Sequence, residues 1–142
     1  MNDYETAALV AGGHTFGKSH GAASESYKGP DPEASRLQDQ STGWNSGYKS
    51  GKGVDAISSG IEGAWTQNPI KWDMGYLDCL YGHDWELTKS PAGAHQWTPK
   101  KNGQKIKMVP DAHQKGVLHP PMMQTTDISM KVDPSYGPIT KH

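Results

Sequence analysis

A histidine that directly follows two glycines, His14 after Gly12 and Gly13, is the first pattern in the sequence that could do chemistry. Ala7, Val10 and His14 would share one face of a helix, because they recur at helical spacing. A neutral imidazole can bond a metal through one ring nitrogen while the other donates a hydrogen bond. The glycines have no side chain that would collide with a flat group such as a haem. An isolated histidine beside glycines is more often a packing or loop residue, so this motif alone leaves both interpretations open.

The element that must position this histidine is a short helix at the start of the sequence. Asn2 or Asp3 can cap it, and Glu5 stands three residues after Asn2, as in a capping box. We expect the helix to cover residues 3–11, with the two glycines closing or bending it. Three polar residues follow in a short loop, from which they could reach the propionates of a haem: Lys18, Ser19 and His20.

The composition bounds the class of protein. The 142 residues suffice for one ordinary domain, but hydrophobic residues make up only 33% of them, which predicts a small core and much irregular structure. The net charge of -1 gives no argument for binding nucleic acid or a membrane surface. The single cysteine, Cys79, excludes an internal disulfide and suits a reducing compartment. There is no apolar run long enough to span a membrane and no signal-peptide pattern, so we expect a cytoplasmic location.

The remaining elements are predicted from local patterns. Residues 21–53 hold much Gly, Ser and Pro without a lasting period, which predicts a long ordered loop region. Residues 55–65 mix β-branched residues with glycine and predict either a short strand or an extended segment. A helix is expected over 69–82, a β-hairpin over 85–98, and a helix start capped by a threonine at 125–130.

Several blocks of the sequence together carry a resemblance to a known family. They read AGGHTFGKSHG, then GPDPEA, then DAISSGIEGAWT, KWD and DWELTKSPAGA, and finally PPMM with TTDISMKVDPSYGPI. This ordered series resembles the catalase-peroxidases, haem enzymes of the class I peroxidase superfamily. The resemblance covers essentially the whole chain, residues 1–142, and implies a mainly α-helical haem-peroxidase fold, partial here, with long loops and a small hairpin.

The resemblance also implies roles for individual residues around one haem b. His14 matches the ligand of the haem iron. Trp65 and Asp127 match catalytic residues beside that ligand, the aspartate accepting hydrogen bonds from both the imidazole and the indole. Other residues match positions that contact the haem face, its edge or its propionates: Leu9, Val10, Gly13, Phe16, Lys18, Ser19, His20, Ser58 and Ser59.

The trio of His14, Trp65 and Asp127 would make the imidazole a stronger ligand of the iron. A carboxylate that accepts the imidazole N–H makes the ring a more basic ligand, which lowers the iron potential and favours cleavage of the peroxide O–O bond. Taken singly, Asp127 could instead be a first-turn helix residue, and Trp65 an ordinary core aromatic. Only the joint match to the family raises these residues above those alternatives.

The resemblance implies a haem-dependent enzyme that decomposes hydrogen peroxide to water and O2 and oxidises small organic electron donors through a ferryl intermediate. We expect the chain to be the proximal half of the haem domain, with the distal residues that cleave peroxide lying before it. The intact protein is expected to be a homo-oligomer, and the fragment alone to be inactive. The alternative is a truncated, non-catalytic product that only binds haem.

Overall fold

The structure is a computed structural model, and it describes residues 1–19, 23–39, 45–52, 55, 60–100, 107–111 and 114–142. The chain falls into two compact units. The first comprises Met1–Lys18, Gly63–Thr88 and Gln96–His142, and the second comprises Ser19–Glu62 and Lys89–His95. The interpretation of residues 1–142 as one region without an internal boundary stays a prediction.

The described residues form short helices and small antiparallel sheets. The α-helices are α1 (Asp3–Gly13), α2 (Gly75–Gly82), α3 (Thr125–Val132) and α4 (Tyr136–Lys141). The strands are β1 (Trp85–Lys89), β2 (His95–Pro99), β3 (Val109–Pro110) and β4 (Leu118–His119), in two sheets that pair β1 with β2 and β3 with β4. This is a mixed structure, so the expectation of a mainly α-helical fold is not confirmed. In the described ranges no helix is long and apolar enough to cross a membrane.

Helix α1 begins as the sequence predicts. Asn2 is the N-cap: its side chain accepts the backbone N–H of Glu5 at 2.9 Å, and the Glu5 carboxylate accepts the N–H of Asn2 at 3.0 Å. The helix continues through Gly13, two residues beyond the predicted end, and His14 is its C-cap. The capping box therefore fixes the start of the helix that carries the histidine.

Helix α2 is shorter than predicted, because residues 69–74 do not join it. The carbonyl of Pro69 accepts the N–H of Gly17 at 2.9 Å, and Ile70 forms an antiparallel bridge with Phe16. These contacts hold the chain extended, so the helix begins only at Gly75, whose N–H is accepted by the Asp73 carboxylate at 2.8 Å.

Helix α3 packs against the C-terminal end of α2. The predicted helix at 125–130 is present as α3, but its N-cap is Gln124 rather than a threonine. Lys131 of α3 donates to the carbonyls of Leu80, at 3.1 Å, and His83, at 2.7 Å, at the C-terminal end of α2. A cation at this end of a helix satisfies carbonyls that have no partner within the helix. The contact therefore fixes α3 against α2.

The core of the first unit consists of aliphatic, aromatic and sulfur-containing side chains. These are Ala7, Ala64, Trp65, Tyr76, Cys79, Leu80, Trp85, Val109, Met122, Met123 and Met130. Cys79 is buried there, as expected for a packing residue, and burial raises the pKa of its thiol to about 11.

The predicted hairpin is confirmed by β1 and β2, which are joined by a turn at residues 90–94.

The second unit corresponds to much of the predicted loop region. Its described residues form three single-turn 3-10 helices, Glu25–Tyr27, Pro32–Ala34 and Leu37–Asp39. Ala23 and Ala92 are buried together, with Tyr48 packed against them. Of the segment predicted at 55–65, residues 56–59 lie outside the described residues, and residues 60–65 form neither a helix nor a named strand.

Candidate functional site

The candidate site surrounds the His14 side chain in the first unit. The backbone N–H of His14 bonds the Val10 carbonyl at 2.9 Å, so the residue continues the last turn of α1. Its imidazole is 20% exposed and lies against the Trp65 and Tyr76 rings and the Asp127 carboxylate. The C-terminal end of α1 thus places the imidazole against the core of the unit.

Asp127 is fully buried in the first turn of α3. One carboxylate oxygen, Oδ2, accepts the backbone N–H of Gln124 at 2.8 Å, which anchors the side chain to the start of the helix. The other oxygen, Oδ1, lies 3.1 Å from Nε2 of His14. That nitrogen is buried and has no partner in hydrogen-bond geometry, although the oxygen lies within reach. Imidazole and carboxylate are adjacent, as the family resemblance implies, but the hydrogen bond that it also implies is not formed in this structure.

Trp65 stacks on the imidazole. The ring centroids are 4.4 Å apart, with an angle of 29° between the planes, and only 8% of Trp65 is exposed. Its indole N–H donates to the carbonyl of Phe16 at 3.2 Å. The expectation that this N–H bonds Asp127 is therefore wrong for this structure, because an indole has one N–H and here it is used on the backbone.

The backbone before Trp65 is held close to the segment that leads to Asp127. The N–H of Met122 bonds the Ala64 carbonyl at 2.9 Å. Gly63 has φ 125°, and a Cβ built on it would lie 2.6 Å from Cγ of Met122. Glycine is therefore required where these two segments approach each other.

Tyr76 is the member of the site that sequence reasoning missed. It is 1% exposed, its hydroxyl donates to Oδ1 of Asp127 at 3.0 Å, and its ring is tilted by 58° against the imidazole, with centroids 4.9 Å apart. Burial, together with the Asp127 charge and hydrogen bond, raises the pKa of this phenol, which keeps it a hydrogen donor. A tyrosine on the buried face of a predicted helix was the available signal, because such a hydroxyl needs a partner.

The predicted haem-contacting residues are only partly placed around the site. Leu9 is 64% exposed and Gly13 is exposed, whereas Val10 and Phe16 are partly buried. Lys18 is exposed and its amine lies 3.5 Å from the Asp111 carbonyl. Ser19 is partly buried and belongs to the second unit. Three predicted residues lie outside the described residues: His20, Ser58 and Ser59.

The side chains present fit a flat group with a single protein ligand. Gly12 and Gly13 have open space where a Cβ would stand, and the neighbouring Leu9 offers an uncovered apolar side chain. Behind the imidazole stands a buried carboxylate, the usual partner of a metal-binding histidine. In the part of the chain that the structure describes, there is no cluster of three or more His, Cys, Asp or Glu side chains that could hold a bare metal ion.

Two cavities in the first unit differ in their relation to the candidate site. One, of about 860 Å³, lies among residues of α1, α2 and α4, including Tyr4, Ala8 and Ile139. The other, of about 460 Å³, includes Gly12 and Trp72 in its wall, together with Tyr76 of the candidate site. His14 lines neither of them, so cavity size does not identify the site in this chain.

Comparison with known sequences tests the family resemblance. No family model matches the chain. The chain is 61% identical over 142 residues to the catalase-peroxidase of Koribacter versatilis, 60% over 141 residues to that of Maridesulfovibrio salexigens, and 57% over 142 residues to that of Gloeobacter violaceus. Each match covers 99% of this chain but only 19% of the relative. The resemblance indicated by the motifs is thus confirmed: this chain is similar over nearly its whole length to one segment of the catalase-peroxidases.

Proposed function

We propose that this chain is part of a haem-dependent catalase-peroxidase and that His14 ligates the iron of one haem b. The observation that carries the proposal is the position of this imidazole, stacked on Trp65 and 3.1 Å from a fully buried carboxylate. A histidine that only ended a helix would need neither a stacked indole nor a buried carboxylate beside it. The 55–61% identity to catalase-peroxidases supports the same assignment.

Asp127 orients and polarises the ligand in this proposal. A buried carboxylate next to an imidazole favours the tautomer whose N–H faces it and leaves the other ring nitrogen free for a metal. The Gln124 N–H fixes the carboxylate and therefore the direction in which it acts. When bound, the haem iron would supply the oxidising chemistry with hydrogen peroxide, and a more basic imidazole favours that chemistry.

Trp65 is proposed as the second catalytic residue, because its indole plane lies directly on the ligand ring. Stacking at 4.4 Å places an oxidisable side chain in contact with the imidazole. Further residues are proposed to hold the haem: Leu9, Val10, Gly13 and Phe16 on its face, and Lys18, Ser19, His20, Ser58 and Ser59 at its edge and propionates.

The activity proposed for the whole protein is decomposition of hydrogen peroxide to water and O2, together with oxidation of small organic donors. Because the chain spans 19% of its relatives, a second candidate function is haem binding without turnover. Peroxide assays on the haem-loaded chain separate the two. Oxygen evolution above that of free haem would favour the catalytic assignment for the chain itself, whereas its absence would restrict the chain to binding.

A haem titration followed by optical spectroscopy tests the ligand. The wild-type chain is expected to give the spectrum of a histidine-ligated haem, and His14→Ala is expected to lose it. His119→Ala is a matched control, because His119 also faces a carboxylate, Asp111, at 2.6 Å, but lies on the surface with 51% of its side chain exposed. Equal haem uptake by wild type and His14→Ala would overturn the assignment of the ligand.

A further inference from the structure

Tyr76 stands where it can influence the imidazole through Asp127. Its hydroxyl and Nε2 of His14 lie 3.0 Å and 3.1 Å from the same carboxylate oxygen, Oδ1. Only the phenol makes a directed hydrogen bond to that oxygen, and Nε2 has no hydrogen-bond partner. The phenol and the imidazole therefore converge on one carboxylate oxygen, and only the phenol makes a hydrogen bond to it.

Sharing an acceptor changes what the carboxylate does to the imidazole. A hydrogen bond from a phenol to a carboxylate is charge-assisted and draws negative charge towards the donor. The oxygen then attracts the imidazole N–H less strongly than a carboxylate without this bond would. The Gln124 N–H occupies Oδ2, so both oxygens of Asp127 carry a donor besides the histidine.

The contact also fixes geometry. Tyr76 lies on α2 and Asp127 on α3, so their bond ties together two helices that enclose the imidazole. The Tyr76 ring is tilted by 58° against the imidazole, with centroids 4.9 Å apart, which limits rotation of the ligand. One side chain thus touches both members of the pair.

We propose that Tyr76 is a positioning residue of the His14–Asp127 pair: its hydroxyl holds Oδ1 and limits how strongly the carboxylate polarises the imidazole. The inference rests on the proposed function for its consequence at the haem. The geometry on which it stands belongs to the protein residues alone.

The test is nuclear magnetic resonance of the 142-residue chain without haem, with nitrogen-15 in its histidines, at a fixed pH. Removing one oxygen with Tyr76→Phe frees Oδ1 for the imidazole. We therefore expect the ring N–H proton of His14 to move downfield and its ring nitrogens to shift. Tyr81→Phe is the matched control on the same helix, because the Tyr81 hydroxyl bonds Gly137 and Thr140 instead of Asp127. It is expected to leave the His14 signals in place.

A second variant keeps the test informative if Tyr76→Phe does not fold. Site-specific ortho-fluorotyrosine at position 76 keeps the shape and strengthens the donor, so the His14 N–H proton should move upfield. Unchanged His14 signals in whichever variant folds, or an equal shift in Tyr81→Phe, would overturn the proposal.

The haem provides an independent readout. In the loaded chain, Tyr76→Phe is expected to lower the Fe(III)/Fe(II) potential, because a more polarised imidazole stabilises the oxidised iron. A potential that rises would contradict the proposal. Because the resonance experiment uses no haem, a failure of haem binding in the titration would count against the proposed function and leave the resonance result intact.

Discussion

The first unit contains two histidine–aspartate pairs that differ in burial and in the aromatic side chains around them. His119 and Asp111 lie 2.6 Å apart with side chains 51% and 21% exposed. His14 and Asp127 lie 3.1 Å apart, and the carboxylate is fully buried. The pair with the shorter distance is the less promising site. In both pairs a backbone N–H also bonds the carboxylate, that of Gln114 on Asp111 and that of Gln124 on Asp127. Burial, the Tyr76 phenol on the carboxylate and the stacked indole distinguish the candidate site, whereas the distance between imidazole and carboxylate does not.

The largest expected difference between the pairs is in stability. Asp127→Ala leaves a buried donor, the Tyr76 hydroxyl, and a partly buried one, the Gln124 N–H, without an acceptor. Each such loss costs on the order of 1–3 kcal/mol, so we expect about 3 kcal/mol of lost unfolding free energy in urea titrations. Asp111→Ala should lose no more than about 1 kcal/mol, because water reaches the groups left behind.

Equal losses in the two aspartate variants would remove the basis of the comparison. A loss confined to Asp111→Ala would reverse it. Circular dichroism of each variant before titration verifies that the change is measured between the same folded and unfolded states.

The backbone that supports each pair should respond differently to an added methyl group. Gly63→Ala, next to the buried pair, combines φ 125° with a Cβ 2.6 Å from Met122 Cγ, so we expect a loss of about 2–3 kcal/mol. Gly116→Ala, near the exposed pair, has φ 85° but nothing within 4 Å, so only the backbone cost of about 1 kcal/mol is expected.

Thermal unfolding of the two glycine variants measures this contrast. A Gly116→Ala variant that is the more destabilised of the two would mean that the segment around Met122 tolerates repacking. The tight approach described for Gly63 would then not constrain the site.

Ionisation of the buried Cys79 thiol should add a smaller, pH-dependent effect on the free energy of unfolding. Cys79 lies on α2 after Tyr76, and burial raises the pKa of its thiol from 9.0 to about 11. Because the folded pKa lies above that of the unfolded chain, the stabilisation is complete below pH 9 and is lost as the pH rises towards 11. The loss should not exceed about 2 kcal/mol.

Urea titrations of wild type and Cys79→Ala at pH 8 and pH 10.5 isolate the thiol from the tyrosines that ionise in the same range. The wild type should lose more stability than Cys79→Ala between the two pH values. Parallel losses would show that the thiol contributes nothing to the pH dependence.

Local signals in the sequence predicted those structural elements that are determined by residues close together in the chain. The capping box of Asn2 and Glu5 fixed the start of α1, and alternation around a glycine-containing turn located the hairpin. Helix α2 was predicted six residues too early, because the extended pairing of Phe16 with Ile70 is a contact between distant segments that no local pattern contains.

The same limit applies to the candidate site. The family motifs indicated His14, Trp65 and Asp127, but the hydroxyl of Tyr76 finds Asp127 across 51 residues, and the Trp65 indole finds the Phe16 carbonyl across 49. Which acceptor each buried donor uses is decided by packing between elements. The residue types could suggest that partners exist, but they could not specify them.

The contacts that join these distant segments also set an order of events during synthesis. A chain that has emerged only through the hairpin already carries His14, Trp65 and Tyr76, but the carboxylate that they surround arrives with α3. Contacts of large sequence separation form slowly, because a long loop must close before they stabilise the chain. The Lys131 contacts to the end of α2 bring α3 into register. We therefore expect the imidazole to acquire its carboxylate neighbour in a late step of folding.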